Sequence, residues 1–289
     1  MISIIIINYN QKKFLEQCLK SIYDNFKSHP FEIILINNSP EEDLTDLQYE
    51  YNLKLVYNEN RGFSQANNLA ADLASGEYLF FLNADTIIKS DFFSVFADNF
   101  SGKEFGAVGI KLYNQDNTFQ LSFWKENTFK NEIKNKKEEE LFRKKNLKYI
   151  SIKEKEYAEI KEADWVSGAA MIIKSDVFKK TGGFDERFFL FYEDADICKT
   201  LNQNGFKNYF FPFGSIIHYK GENVNENFHS NAYYYSKESQ LIYYKKHNNF
   251  PNNLFLRLYL FVKFSTLYLL TFKKIHLRII KLLFGINGR

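Results

Sequence analysis

The sequence predicts an α/β fold in which a mostly parallel central sheet is flanked by helices. Three observations carry this. Short runs that are apolar at every position, such as Ile2 to Ile7 and Tyr78 to Leu82, read as strands buried on both faces. Those runs alternate with segments of helical period. Polar clusters stand where the runs end: Asn8-Tyr9-Asn10, Asn37-Asn38-Ser39 and Asn83-Ala84-Asp85. Sheets of this kind bind ligands beyond the carboxyl ends of their strands, so these clusters are the first candidates for a site.

The elements follow in order. Ile2 to Ile7 is the first strand. Gln11 to Phe26 places Phe14, Leu15, Cys18, Leu19, Ile22, Tyr23 and Phe26 on one face, an amphipathic helix. Glu32 to Ile36 and Lys54 to Tyr57 are the second and third strands. Ser64 to Ala74 carries Ala66, Leu69, Ala70 and Leu73 at helical spacing, with Gly76 as a stop. Tyr78 to Leu82 is the fourth strand, Ser90 to Phe100 a helix and Ala107 to Leu112 a further strand. Residues 124–162 are rich in Lys and Glu with few large apolar residues, which predicts a solvated helical excursion or mobile insert without chemistry of its own. Asp164 to Ile173 returns as a strand-like segment around Ser167-Gly168-Ala169-Ala170. Small residues there allow close approach by a ligand or by another backbone.

Composition narrows the class. A chain of 289 residues that is 45% hydrophobic supports one large domain, or one with appendages. Only four Pro and 13 Gly argue against extended disorder. Cys18 and Cys198 fall on expected helices without CxxC or zinc spacing, so they read as reduced cysteines of a cytosolic protein. Ile2 to Ile7 is too short for a signal peptide and lacks a basic flank. The net charge of +3 hides an asymmetry: no acid follows Glu238, while nine basic residues do, which leaves the first 238 residues at −6. An acidic body disfavours a nucleic-acid partner.

The densest chemistry lies in Phe189-Leu190-Phe191-Tyr192-Glu193-Asp194-Ala195-Asp196-Ile197-Cys198. Ala195, Ile197 and Leu201, with Gly205 as a stop, make this a helix that begins at Glu193 and Asp194. A helix dipole favours an ionised carboxylate at that end. A carboxylate held anionic in a cleft can act as a general base. A charged helix start without chemistry is the plain alternative.

With these pieces in order, residues 2 to about 247 resemble the inverting glycosyltransferases of family 2, which have the GT-A fold. They are similar to the bacterial rhamnosyltransferase-like branch that builds surface polysaccharides. The resemblance rests on an ordered set: Ile6-Ile7-Asn8-Tyr9-Asn10, Asn60-Arg61-Gly62-Phe63, Leu82-Asn83-Ala84-Asp85, Trp165-Val166-Ser167-Gly168-Ala169, Gly182-Gly183-Phe184-Asp185-Glu186, Tyr192-Glu193-Asp194-Ala195-Asp196 and His218-Tyr219. It implies transfer from a nucleotide-sugar donor with a divalent Mg or Mn ion that neutralises the leaving diphosphate. Asn83-Ala84-Asp85 resembles the family's DxD motif with Asn in its first place. That implies Asp85 as metal ligand, with Asn83 facing the ribose and His218 either a further ligand, as in some members, or a structural histidine after the strand. Asp194 matches the catalytic base, Glu193 orients the acceptor or the base, and Asp196 is a cap or salt-bridge partner.

The same resemblance sets Asn8, Tyr9 and Asn10 beside the base and ribose. Asn37 stands where the family has Asp, and its carbonyl can accept a bond from a pyrimidine N3–H. This favours UDP- or dTDP-sugars. Asn60, Gly62 and Asn68 line the diphosphate and donor-sugar side, and Trp165 and Gly168 belong to the acceptor wall. Two rivals stand beside this. A non-catalytic nucleotide-sugar-binding or assembly subunit is supported by the amides at Asn37 and Asn83. A nucleotidyltransferase would show a Gly-rich basic loop near the first strand, and Asn8 to Lys13 contains no Gly.

The tail, residues 248–289, is set apart from a catalytic domain of residues 1–247. Leu254 to Phe272 is apolar but contains Arg257 and Lys263, so it is marginal as a membrane span. Lys263, Lys274, Arg278 and Lys281 share one helical face, and Ile275, Ile279, Leu282 and Leu283 another. This predicts a basic amphipathic helix on an anionic membrane surface. A cytoplasmic enzyme, peripheral on the inner face of the membrane, would suit a glycan acceptor linked to a polyprenyl diphosphate. The alternative is a helix pair packed on the catalytic domain or on a second subunit of a homo-oligomer.

Overall fold

The computed structural model describes residues 1–220 and 226–285. The chain opens with β1 (Ile2–Asn8), α1 (Lys12–Asn25), β2 (Phe31–Asn37), α2 (Thr45–Tyr51), β3 (Lys54–Tyr57), α3 (Phe63–Asp72) and β4 (Tyr78–Asn83). It continues through β5 (Thr86–Ile88), α4 (Phe93–Phe100), β6 (Val108–Tyr113), β7 (Phe123–Trp124), α5 (Phe129–Arg143), α6 (Leu147–Glu156), β8 (Lys161–Ala163), β9 (Trp165–Val166) and β10 (Ala170–Lys174). The remainder is α7 (Ser175–Lys180), α8 (Glu193–Gln203), β11 (Asn208–His218), α9 (Glu226–His247), α10 (Phe250–Thr271) and α11 (Lys274–Leu283).

The all-apolar runs become the centre of the main sheet because both their faces can be buried. Strand order is β3-β2-β1-β4-β10-β6-β11-β5, with β8 added on β11. Strands β1, β2, β3, β4, β6 and β11 run one way, and β10, β5 and β8 run against them. Alternation along each strand divides the core in two. Ile4, Ile6, Phe80 and Leu82 pack with Leu15, Leu19 and Ile22 of α1 and Phe96 of α4. Ile5, Ile7, Phe81 and Met171 pack with Ala66 and Ala70 of α3, Phe178 of α7 and Ile197 and Leu201 of α8. Phe abundance is spent on the first layer, where Phe26 touches Phe31, Phe80, Phe92 and Phe93 edge-on or stacked. Each fully buried Phe contributes about 1.5–3 kcal/mol. Cys18 and Cys198 are free and buried, and burial pushes the Cys18 thiol up to about 12.

The expected strand over Asp164–Ile173 is divided. β9 pairs with β7 in a separate two-stranded sheet, and β10 joins the main sheet between β4 and β6. The loop between them, Ser167-Gly168-Ala169, lies at the same sheet edge as the end of β4: Asn83 N–H donates to Ala169 O at 3.0 Å.

The charged segment 124–162 is helical but not solvated throughout. Tyr157 is 1% exposed and packs on Phe119, Phe123 and Phe210. Glu132 is buried in the first turn of α5, where its carboxylate accepts from Tyr192 Oη at 2.8 Å and from Gln240 Nε2. A run of charges concealed one inward carboxylate.

The tail also departs from expectation. Ile279, Leu282 and Leu283 of α11 do not face outward but pack in a third cluster with Leu256, Leu260 and Phe264 of α10, Tyr243 and Tyr244 of α9, and Phe188 and Ala195. Arg278 of the expected basic face, and Arg257, also make internal contacts. Arg278 lies over the Tyr234 ring at 4.5 Å, and Arg257 Nη1 donates to Leu283 O. Arg289 lies outside the described residues. The apolar surface left open belongs to α10, where Leu258, Val262, Leu269 and Leu270 are 53–74% exposed. That helix is long and apolar enough to cross a membrane, yet only 17% of its apolar window is buried in the protein.

Candidate functional site

The carboxyl ends of β1, β2, β4 and β11 meet at one edge of the sheet. Asn8 and Asn37 close the first two strands and are fully buried. Asn8 Nδ2 donates to Asn37 Oδ1 at 2.9 Å and to Glu42 Oε2 at 2.7 Å, while Asn37 Oδ1 also accepts from Ser39 N and Asn37 Nδ2 donates to Glu42 O. Both amides are therefore committed to each other and to the β2–α2 loop. The two neighbouring amides at the strand ends thus hold each other's orientation. Tyr9 and Asn10 remain at the exposed strand end, with Asn10 at φ 53°.

The Asn60–Asn68 segment is tied to the protein at three points. Asn60 Oδ1 accepts from Gly62 N at 3.1 Å, a local turn. Gly62 has φ 111°, and a Cβ there would lie 2.9 Å from both Cα and O of Phe189. A close approach of the Phe189 backbone by itself requires glycine at this position. Asn68 bonds Phe184 on both sides, Nδ2 donating to its O at 2.8 Å and Oδ1 accepting from its N at 2.9 Å. It ties α3 to the Gly182–Glu186 loop. Ala84 is 2% exposed and packs in the core.

Asp85 and His218 are brought together. β11 carries His218 to its end, where it pairs with Thr86 of β5. His218 Nε2 is 3.4 Å from Asp85 Oδ1 and 3.4 Å from Asn83 Nδ2. On the far side of the ring, Nδ1 is 3.2 Å from Gln120 Oε1. A nitrogen and a carboxylate oxygen at this separation can share one divalent cation, so the pair fits the ion that the fold family implies. No group of three or more His, Cys, Asp or Glu joins them among the described residues. Gln120 carried no signal in the sequence.

Asp194 stands in the first turn of α8. Its Oδ2 accepts from Gly168 N at 3.1 Å and its Oδ1 from Ala195 N at 2.8 Å. Gly168 therefore cradles the carboxylate: a Cβ at that position would lie 3.3 Å from Asp194 Cβ. The dipole at the helix start does not govern the pair. Burial raises the Asp194 carboxyl, opposed by the Gly168 and Ala195 amides. Burial and then the Asp194 charge raise Glu193 well above the ordinary carboxylate range. Glu193 is 8% exposed and its Oε2 has no hydrogen-bond partner. Burial and the neighbouring charge thus push Glu193 up, while the two N–H donors on Asp194 favour its ionised form.

The turn before this pair is held from behind. Phe191 and Tyr192 both sit at positive φ, 69° and 66°. Tyr192 Oη reaches Glu132, and Ser239 Oγ donates to Leu190 O at 2.9 Å. Asp196 is a salt-bridge partner, 2.8 Å from Lys246 and 2.7 Å from His247 of α9. Trp165 stacks on Trp124 at 4.2 Å and donates Nε1–H to Lys125 O at 3.0 Å.

The fold is that of the GT-A class of sugar-transferring enzymes. The model of the "Glycosyl transferase family 2" family matches residues 3–155, and the chain belongs to that family. It is 24% identical over 268 residues to the rhamnosyltransferase WbbL of Escherichia coli strain K12, covering 89% of this chain and 98% of that protein. A shorter stretch of 84 residues is 26% identical to the N-acetylglucosaminyl-diphospho-decaprenol L-rhamnosyltransferase of Mycobacterium tuberculosis, covering 29% of this chain and 27% of that protein. Among solved structures, GalNAc-T7 with UDP, GalNAc and Mn2+ superposes with a TM-score of 0.56 at 17% identity, covering 84% of this chain and 49% of that one. That last likeness concerns the fold.

Proposed function

We propose that this chain transfers a sugar, with inversion, from a UDP- or dTDP-sugar to a hydroxyl of a polyprenyl-diphosphate-linked glycan in surface polysaccharide synthesis. Rhamnose is the favoured donor sugar, on the strength of the two rhamnosyltransferases it is similar to. The observation that carries the chemistry is Asp194: a carboxylate fixed by two backbone N–H groups, one of them from Gly168, whose neighbour Ala169 accepts from the N–H of Asn83 in the DxD-like motif. Asp194 takes the acceptor's hydroxyl proton as that oxygen attacks the anomeric carbon. Glu193, holding its own proton beside it, keeps a second negative charge out of the same pocket and orients the acceptor. A Mg or Mn ion held by Asp85 and His218 would neutralise charge on the departing nucleoside diphosphate. Tyr9 and Asn10 border the nucleotide, and Trp165 forms part of the acceptor wall.

The open apolar face of α10, flanked by exposed Lys273, Lys274 and Lys281, supports a seat on the inner face of the cytoplasmic membrane. A lipid-linked acceptor would be met there. The test is a screen of UDP-, dTDP- and GDP-sugars that scores acceptor-dependent nucleotide release and the anomeric configuration of the product. Release from a pyrimidine-nucleotide sugar with inverted product supports the proposal. Retention of configuration, or no acceptor-dependent release from any donor, contradicts it.

A further inference from the structure

We infer that Gln120 is a positioning residue for the metal site: it fixes His218 as the Nδ1–H tautomer, turns the Nε2 lone pair toward Asp85, and so biases the site to Mn over Mg. This rests on reading Asp85 and His218 as metal ligands.

The argument begins with the amide. Gln120 is 1% exposed. Its Nε2 donates to His218 O at 2.7 Å and to Tyr113 O at 3.2 Å. Its own backbone N–H donates to Leu112 O at 2.8 Å, which anchors it at the end of β6. Two carbonyls pin the nitrogen, so a flipped amide would set oxygen against oxygen. Oε1 therefore faces His218 Nδ1 at 3.2 Å and can only accept. Nδ1 must carry the hydrogen, and in a neutral imidazole the other nitrogen is then an acceptor. That nitrogen is the one 3.4 Å from Asp85 Oδ1. Nitrogen lone pair and carboxylate thus converge. One imidazole nitrogen beside one carboxylate is a donor pair that suits Mn better than Mg, which prefers oxygen ligands throughout.

Loss of such an outer partner lowers metal affinity by about 10–100-fold. The experiment measures Mn2+ and Mg2+ binding to the full chain with UDP, by electron paramagnetic resonance of free Mn2+ and by competition, in wild type, Gln120→Leu, Gln120→Glu and His218→Ala. Both Gln120 variants lose the two Nε2–H bonds, so a purely structural role would damage both alike. A positioning role predicts that Gln120→Glu, which still accepts from Nδ1–H, keeps Mn2+ affinity. Gln120→Leu should lose it by the stated factor, with Mg2+ affinity changing less. Long-range 1H–15N spectra of the wild type should show the His218 Nδ1–H tautomer, a readout that stands even where the variants do not fold. An Nε2–H tautomer, or Gln120→Leu binding Mn2+ like wild type while His218→Ala does not, overturns the inference. Wild-type Mn2+ affinity in His218→Ala overturns the metal-site reading beneath it.

Discussion

Replacing Gly168 with alanine separates two roles that the same residue could serve. The new Cβ would stand 3.3 Å from Asp194 Cβ, so the Asp194 side chain must give by a few tenths of an ångström. The bond that suffers is Gly168 N–H to Asp194 Oδ2, now 3.1 Å. A hydrogen bond to a charged group is worth about 1.5–3 kcal/mol when lost outright. A stretched one should lose about 1 kcal/mol, roughly fivefold in kcat/KM. The sign of the pH effect follows. The Gly168 amide opposes the upward push of burial on Asp194. Weakening it raises the carboxyl further, so the acidic limb of the kcat/KM profile moves to higher pH and part of the lost rate returns there. The assay is nucleotide release against pH with a soluble acceptor analogue, beside a melting curve for each protein. A loss of equal size at every pH, with the limb unmoved, would mean that the methyl group obstructs the acceptor, and the base-holding argument would be wrong.

Three further outcomes follow from the same geometry. Because the Glu193 carboxyl is raised by burial, the folded protein binds a proton that the unfolded chain has released, and stability falls as pH climbs from the ordinary carboxylate range toward the raised value; Glu193→Gln should flatten that slope in melting temperatures taken across this range, and an unchanged slope would show that Glu193 does not hold its proton. Gly62→Ala should destabilise the fold by about 1–3 kcal/mol, given its φ of 111° and the Phe189 backbone 2.9 Å from the added Cβ, while UDP affinity of the folded protein stays the same; lost UDP affinity at unchanged stability would return Gly62 to the donor site. Changing exposed Leu258, Val262 and Leu269 together to Glu should abolish most co-sedimentation with anionic liposomes while leaving turnover of a soluble acceptor intact, and high salt should release the wild type only in part, since apolar insertion is unscreened; equal sedimentation of both proteins would remove α10 from the membrane.

The parts legible in the sequence were those with a repeating physical signal. Runs such as Ile2–Ile7 and Tyr78–Leu82 announce strands because only a doubly buried strand tolerates such composition. Short pairings were not legible: β5, β7 and β8 have two or three residues each and exist because longer neighbours template them. At the site, the order of motifs located Asp85, Asp194 and His218, but residue type alone did not say what each neighbour approaches. Gly62, Gly168 and Asn68 read as ligand contacts, and the structure adds protein partners that the sequence did not show: Phe189, Asp194 and Phe184. A requirement for a small or polar side chain is the same whether backbone or ligand stands opposite. Glu132 was hidden for the reverse reason, one buried carboxylate among many solvated ones. In α11 the amphipathic pattern was read correctly as a face, and its partner proved to be protein.

The central claim is that Asp194 removes the acceptor's proton, and Asp194→Asn addresses it most directly because the amide keeps the shape and an oxygen for one of the two backbone donors while it removes the basic carboxylate. Steady-state turnover and calorimetric UDP binding with Mn2+ should be measured on the same preparation. The account predicts a loss in kcat of about a hundredfold or more, with UDP affinity unchanged. Turnover within a few-fold of wild type, at unchanged UDP affinity, would contradict it.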